Sequence, residues 1–253
     1  MDLGLDGRGY LLTGASRGLG FATARALVDD GARVLVSARG EEALRQAVDD
    51  LGGAPSAFGE VGDLGDAAAA ERLVAAARER LGTVDGALIS LGGPRAGGVF
   101  DVTDDDWRRA LETVVLGPLR LVRALLPHLG EGAAIGFVLS TSAREPLPAL
   151  AISNGLRPGL GLTIKSLGDE LGPRGIRVFG LMPGSVATDR LVEIEEATGD
   201  AASARSRAEA TIPLRRVGRP EEFGRMAAFV LSPAASYVTG TMLAVDGGRL
   251  RVP

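Results

Sequence analysis

Short, uninterrupted apolar runs alternate along this chain with longer stretches in which apolar residues recur every three or four positions. Tyr10-Leu11-Leu12 and Val34-Leu35-Val36 are runs of the first kind. Ala57–Val61, Ala87–Ser90, Ile135–Leu139, Ile176–Leu181 and Met242–Val245 continue the series as predicted strands. Between them, Gly18–Asp29 sets Leu19, Ala22, Ala26 and Leu27 at helical spacing. Further helices are predicted over Glu41–Leu51, Ala67–Leu81, Asp104–Leu129, Gly155–Leu171 and Pro220–Leu231. Strands apolar on both faces belong in a parallel sheet, and the amphipathic helices between them are the crossovers that cover it. The expected architecture is doubly wound α/β. No interdomain linker, repeat or long low-complexity tract interrupts it, so residues 1–253 are expected to form one domain.

Composition narrows the chemistry. The 253 residues are 45% apolar and contain no cysteine, which excludes disulfides, thiolate zinc sites, iron–sulfur clusters and a cysteine nucleophile. With His128 as the single histidine, a His-rich metal site or a histidine-based triad is not expected, and no metal is. His128 itself follows Pro127 at a predicted helix end. The net charge of -4 argues against nucleic acid or an anionic membrane as partner. No apolar run reaches the roughly 18 residues that span a bilayer. The N-terminus, Met1-Asp2-Leu3-Gly4-Leu5-Asp6, has no signal-peptide pattern, so a cytoplasmic location is expected. Of the 28 basic residues only Lys165 is a lysine, so an arginine in a lysine's place carries less information here than elsewhere.

The first predicted strand runs directly into Thr13-Gly14-Ala15-Ser16-Arg17-Gly18-Leu19-Gly20 and a helix. In a Rossmann-type βαβ unit, the first glycine makes the tight turn and the second lets backbone approach a pyrophosphate. The third lets helix and strand pack closely, and the diphosphate rests on the free amides of the helix N-terminus. At the end of the second strand the sequence reads Val36-Ser37-Ala38-Arg39, with no acid before Glu41. A carboxylate there would bind the two ribose hydroxyls of NAD, whereas arginine suits a 2′-phosphate. Arg17 and Arg39 together favour NADP(H) over NAD(H).

These motifs, with Gly62-Asp63-Leu64 after the third strand, Pro183-Gly184 with Thr188, and Val238-Thr239-Gly240 followed by Asp246-Gly247-Gly248, resemble the short-chain dehydrogenase/reductase superfamily. The layout is similar to that of bacterial 3-oxoacyl-carrier-protein reductases. The resemblance implies that Asp63 and Leu64 border the adenine pocket, with Leu91 and Gly92 and the phosphate-loop residues Gly14, Ser16, Arg17, Gly18, Leu19 and Gly20 around the dinucleotide. It also implies that Pro183, Gly184 and Thr188 face the nicotinamide carboxamide, that residues 189 to about 212 form a substrate lid, and that the protein is a homodimer or homotetramer.

The active-site pattern departs from the family. The family's Asn-Asn-Ala-Gly reads Ser90-Leu91-Gly92-Gly93 here. The only frame that keeps the family's spacing of serine, tyrosine and lysine sets Ser140 at the serine, Ser153 at the tyrosine and Arg157 at the lysine. Counting from Trp107 and Glu112-Thr113, the family's asparagine falls on Val114. The resemblance gives Ser140, Ser153 and Arg157 the catalytic positions, with Arg157 also on the nicotinamide ribose. An aliphatic hydroxyl has a pKa several units above that of tyrosine, near 10, so Ser153 is a poor proton donor at neutral pH. Glu145, held extended by Pro146, is another candidate donor. Three readings follow. The first is an NADP(H)-dependent oxidoreductase reducing a carbonyl or activated double bond of a small apolar substrate. The second is a dinucleotide-binding relative that has lost turnover and acts as sensor or scaffold. The third is a non-redox lyase or isomerase.

Overall fold

A computed structural model of the chain describes residues 2–90, 92–196 and 199–252. Seven strands, β1 (Gly9–Thr13), β2 (Arg33–Ala38), β3 (Ala57–Val61), β4 (Gly86–Ile89), β5 (Ala134–Val138), β6 (Arg177–Pro183) and β7 (Thr241–Val245), form one sheet in the order β3-β2-β1-β4-β5-β6-β7. Every neighbouring pair is parallel. The chain winds outward from β1 to β3 on one side and from β4 to β7 on the other. The direction reverses between β1 and β4, and in such folds ligands bind at that point, beyond the carboxyl ends of the strands.

Helices cover both faces. α1 (Gly18–Asp29), α2 (Glu41–Asp50) and α9 (Pro220–Leu231) lie on one side. α3 (Ala69–Leu81), α5 (Gly117–Leu125) and α6 (Ala151–Leu171) lie on the other. β1 shows why the strands had to be apolar throughout. Leu11 points into the core under α3, α5 and α6, while Tyr10 and Leu12 point into the core under α1 and α9. Side chains alternate along a strand, so a sheet buried on both faces needs apolar residues at every position.

Two predicted helices differ in the structure. Asp104–His128 is continuously helical but not a uniform α-helix. α4 (Asp104–Leu111) gives way to a wide π-type turn over Glu112–Leu116, α5 follows, and Leu126–His128 is a tight 3-10 turn. Pro118 supplies the cause: it has no N–H for the carbonyl of Val114, and its ring would crowd that carbonyl. The preceding turn widens and leaves Val114 buried in the apolar core. The cap of α4 is Thr103, whose hydroxyl accepts from the Asp106 amide at 3.2 Å while Asp106 accepts from the Thr103 amide at 3.0 Å. The second difference is α6, which begins at Ala151 rather than Gly155 and so carries Ser153 inside its first turn.

The expected lid, residues 189–212, consists of α7 (Asp189–Glu196) and α8 (Ala201–Thr211), with residues 197 and 198 outside the described set. It is better anchored than its polar composition suggests. Glu195 is nearly buried, and Arg205 donates to both its oxygens, at 2.7 and 2.8 Å. Among the described residues, no helix is long and apolar enough to cross a membrane.

Candidate active site

The turn from β1 into α1 opens at the carboxyl edge of the sheet. The Thr13 hydroxyl donates to the Ser90 carbonyl at 2.9 Å and accepts from the Ser90 amide at 3.1 Å, fixing the ends of β1 and β4 to each other at the switch point. Gly18 sits at φ +60°, where residues with a β-carbon are strained, and a β-carbon there would lie 3.5 Å from Thr188 Cγ2. Gly20 is tighter still, because a β-carbon would stand 2.5 Å from the Gly14 carbonyl oxygen. No side chain caps the N-terminus of α1. Its first amides lack partners within the helix and carry the positive end of the helix dipole. A cradle without side chains, lined by amides, fits a dinucleotide's diphosphate.

A cavity of about 640 Å³ runs from this turn across the sheet edge. Its wall contains Gly14, Arg17, Gly18, Leu19, Gly20 and Arg39 from the first βαβ unit. Gly92, Ser140, Ser153, Arg157, Pro183, Gly184 and Thr188 complete the set of expected site residues found there. Ser16, Asp63 and Leu64 do not line it: Ser16 is half-buried, Asp63 is exposed with its carboxylate accepting from the Gly65 amide at 2.9 Å, and Leu64 is buried in the core. Leu91 lies outside the described residues. Glu145 does not line the cavity. His128 is exposed at the end of its turn, and no cluster of potential metal ligands occurs among the described residues.

The three aligned positions meet at the cavity's inner end. Arg157 Nε donates to Ser153 Oγ at 3.2 Å, one helical turn back along α6, and Nη1 donates to the Val138 carbonyl at 2.9 Å. Ser142 was not singled out from the sequence, yet its hydroxyl is 2.8 Å from that of Ser153. Its position follows from the tight turn Thr141–Ala143, in which Ser140 Oγ accepts from the Ser142 amide at 3.1 Å. With its oxygen accepting there, the Ser140 hydroxyl keeps its proton for the cavity. Asn154 is a second residue missed. Its amide accepts from Leu147 N at 3.0 Å and donates to Leu147 O at 2.8 Å, clamping the Leu147–Pro148 wall against α6. Arg157 is 6% exposed, and burial pushes its guanidinium down to about 10, which leaves it a cation at neutral pH.

The first residue of α7 meets the turn from β1 into α1. Arg17 Nη1 lies 3.1 Å from Asp189 Oδ2, both side chains being exposed. Beyond α8, Glu222 takes both terminal nitrogens of Arg216, at 2.8 and 2.6 Å, and the Arg219 amide at 2.8 Å. The Arg216 hydrogen bonds above all pull its carboxyl down to about 2.

Comparison with known proteins agrees with this geometry. The family model described as Enoyl-(Acyl carrier protein) reductase matches residues 14–249. The chain is a short-chain dehydrogenase/reductase. It is 36% identical over 246 residues to human dehydrogenase/reductase SDR family member 4, covering 94% of this chain and 86% of that one. The structure of L-sorbose reductase from Gluconobacter frateurii, complexed with NADPH and L-sorbose, superposes with a TM-score of 0.93 at 27% identity, covering 100% of both chains. An NADPH-bound short chain oxidoreductase from Pseudomonas aeruginosa PAO1, described as containing an atypical catalytic center, gives a TM-score of 0.89 at 31% identity, covering 97% of this chain and 98% of that one.

For this short-chain dehydrogenase/reductase, the Gly20 contact yields a direct expectation. Gly20→Ala must push the Gly14 carbonyl out of place, and overpacking of this kind costs about 1–3 kcal/mol. Titration calorimetry is expected to show nicotinamide dinucleotide binding weakened by about 5- to 150-fold, at that cost, with the fold retained.

Proposed function

We propose that the protein is an NADP(H)-dependent reductase of a carbonyl, or of an activated double bond, on a small apolar substrate, with Ser140, Ser153 and Arg157 in place of the usual catalytic group. The observation that carries this reading is the meeting of the uncapped α1 N-terminus and the three aligned positions in one cavity. NADPH, when bound, supplies the hydride. Arg17 and Arg39 would hold its phosphates, and Pro183, Gly184 and Thr188 its carboxamide end.

The chain's own chemistry at the inner end is electrostatic. When Ser142 donates to Ser153 Oγ, that oxygen also accepts from Arg157, so the Ser153 hydroxyl proton is free to point at a substrate oxygen. Ser140 offers a second hydroxyl proton and Arg157 a fixed positive charge. Preorganised donors of this kind stabilise negative charge growing on a carbonyl oxygen, often the largest single contribution to catalysis. None of the three is an acid matched to neutral pH, so the proton that completes the reduction comes from water. Leu147, Leu150, Leu191 and Ile194 in the wall support an apolar substrate, and α7 with α8 is the proposed lid. The exposed Leu111 on α4 and Leu162 on α6 support self-association through these helices.

A second reading is binding without turnover. It is favoured by Val114, buried where the family's asparagine would stand, and by the missing phenol at position 153. One experiment separates the two. Calorimetry should give a smaller Kd for NADPH than for NADH. Arg39→Gln should weaken NADPH about tenfold, the loss of one charge-assisted hydrogen bond, and leave NADH unchanged. NADPH consumption with apolar ketones then marks a reductase, and binding without consumption marks a sensor. Equal affinity for the two coenzymes would overturn the 2′-phosphate assignment.

A further inference from the structure

Four charged side chains are buried among the described residues: Asp106, Arg157, Arg177 and Glu195. Three are neutralised or fully bonded. Asp106 pairs with Arg95 at 2.7 Å and Arg109 at 2.6 Å, and Glu195 pairs with Arg205 at 2.7 Å. Arg177 donates to four backbone carbonyls. Arg157 differs. Its partners are a serine hydroxyl and one carbonyl, and no carboxylate among the described residues lies within 4.0 Å of it. Nη2 has no hydrogen-bond partner among the described residues, yet no buried nitrogen is left unpartnered, so Nη2 faces the cavity that Arg157 lines. A buried cation without a counter-ion is costly, and that cost is relieved when an anion enters the site.

The cavity's own acids do not serve. Asp189 is held by Arg17, Glu193 by Arg190 and Glu195 by Arg205. Position 153 adds a hydroxyl. A serine stands where the family carries a phenol, and its oxygen lies 3.2 Å from Arg157 Nε on the cavity wall. We propose that the substrate is a 2-oxo carboxylate with an apolar side chain, its carboxylate held by the cavity-facing Nη2 of Arg157 with Ser153 and Ser140. The inference rests on the reductase reading above and names its substrate class. A 2-oxo acid presents a carboxylate oxygen and the keto oxygen side by side, which Arg157 Nη2 and the neighbouring serine hydroxyls can meet together, and its charge answers the guanidinium as a lone ketone does not. In the reaction the keto carbon takes hydride from the reduced nicotinamide and its oxygen takes a proton from water. A 2-hydroxy acid and the oxidised coenzyme result, and Arg157 faces the negative charge on both oxygens throughout.

The test uses oxanilate, a 2-oxo acid isostere that accepts no hydride, and its neutral ethyl ester. Both are titrated calorimetrically into the NADPH-loaded protein. Oxanilate is expected to bind about 30-fold more tightly than the ester, the ratio a hydrogen-bonded charge provides. Arg157→Met is expected to bring the two within about threefold. Arg249→Met, at a half-buried cation of the same wall whose guanidinium donates to Ser185 Oγ at 3.4 Å, should keep the preference. Phenylglyoxylate should likewise be reduced in preference to its methyl ester. Equal binding of acid and ester by a wild-type protein that binds NADPH overturns the substrate class and leaves the coenzyme reading standing. A preference lost in Arg249→Met and kept in Arg157→Met overturns the role of Arg157. Absence of NADPH binding removes both readings, and should Arg157→Met fail to fold, the wild-type comparison still decides the substrate class.

Discussion

Restoring tyrosine at position 153 and lysine at position 157 together is expected to raise kcat/KM for neutral apolar ketones by about 10²–10⁴-fold, the usual worth of a matched general acid. A lysine ammonium one helical turn from a phenol lowers the phenol's pKa from about 10 toward the working range, which no arrangement of Ser153 achieves. The geometry accommodates the exchange. Ser153 already lines the cavity of about 640 Å³, so the phenol is introduced at the cavity wall. Ser140 lines the same cavity and keeps its hydroxyl proton free, so the substrate oxygen would meet two donors. Both changes are needed. Ser153→Tyr alone leaves a guanidinium, which is more rigid and cannot take up a lysine's position, and Arg157→Lys alone leaves no acid. Steady-state rates on a neutral ketone, with NADPH affinity measured in parallel, test this. An unchanged kcat/KM in a double variant that still binds NADPH would show that positions 153 and 157 do not hold the donor and its activator.

Much of the fold was legible because it rests on local chemistry. Uninterrupted apolar runs can lie only in a sheet covered on both faces, and all seven predicted strands are present, displaced by a residue or two at their ends. The glycine spacing of 14, 18 and 20 demanded a turn into a helix, and the close contact at Gly20 supplies the steric reason. What escaped was set by contacts between distant positions or by a single proline acting through the helix it interrupts. Apolar periodicity runs unbroken across Pro118, so Asp104–Leu129 looked continuous, while the carbonyl of Val114 forces a π turn. α6 began early because the wall of residues 147–150 is fixed by the Asn154 clamp and by Ala149 at φ 56°, a backbone state that spacing does not reveal. Family spacing pointed to Ser140, and only the tight turn after it brings the Ser142 hydroxyl to Ser153. Arg157 was placed by spacing, but its lack of a counter-ion needed the positions of every acid around the cavity.

Arg177→Met is expected to cost about 3–5 kcal/mol of stability, the range for removing one partner from a buried charged network. In a chain of this size that lowers Tm by roughly 6–20 °C. Arg177 opens β6 and is 6% exposed. Nη1 donates to the carbonyls of Val230 at 2.7 Å and Val238 at 3.4 Å, and Nη2 to those of Leu231 at 3.2 Å and Ser232 at 2.9 Å. Two of these acceptors close the last turn of α9, where a helix leaves carbonyls unpaired and presents the negative end of its dipole. Methionine fills much of the same volume and bonds none of them, so the carbonyls are left buried without donors. The nearby Tyr10 hydroxyl cannot compensate. It reaches only the Leu231 carbonyl, at 3.5 Å, and burial pushes it up to about 12, which keeps it neutral. Arg177→Lys should recover part of the loss, since three ammonium protons cannot reach four acceptors spread over the end of α9 and the turn beyond it. The site should be spared at 25 °C, because Arg177 and its four acceptors do not line the cavity, so NADPH affinity of the folded variant is expected to match the wild type. Thermal unfolding followed by circular dichroism, with coenzyme titration well below the transition, measures both parts. A variant melting within 2 °C of the wild type would mean that water reaches those carbonyls and that Arg177 is not what closes this end of α9.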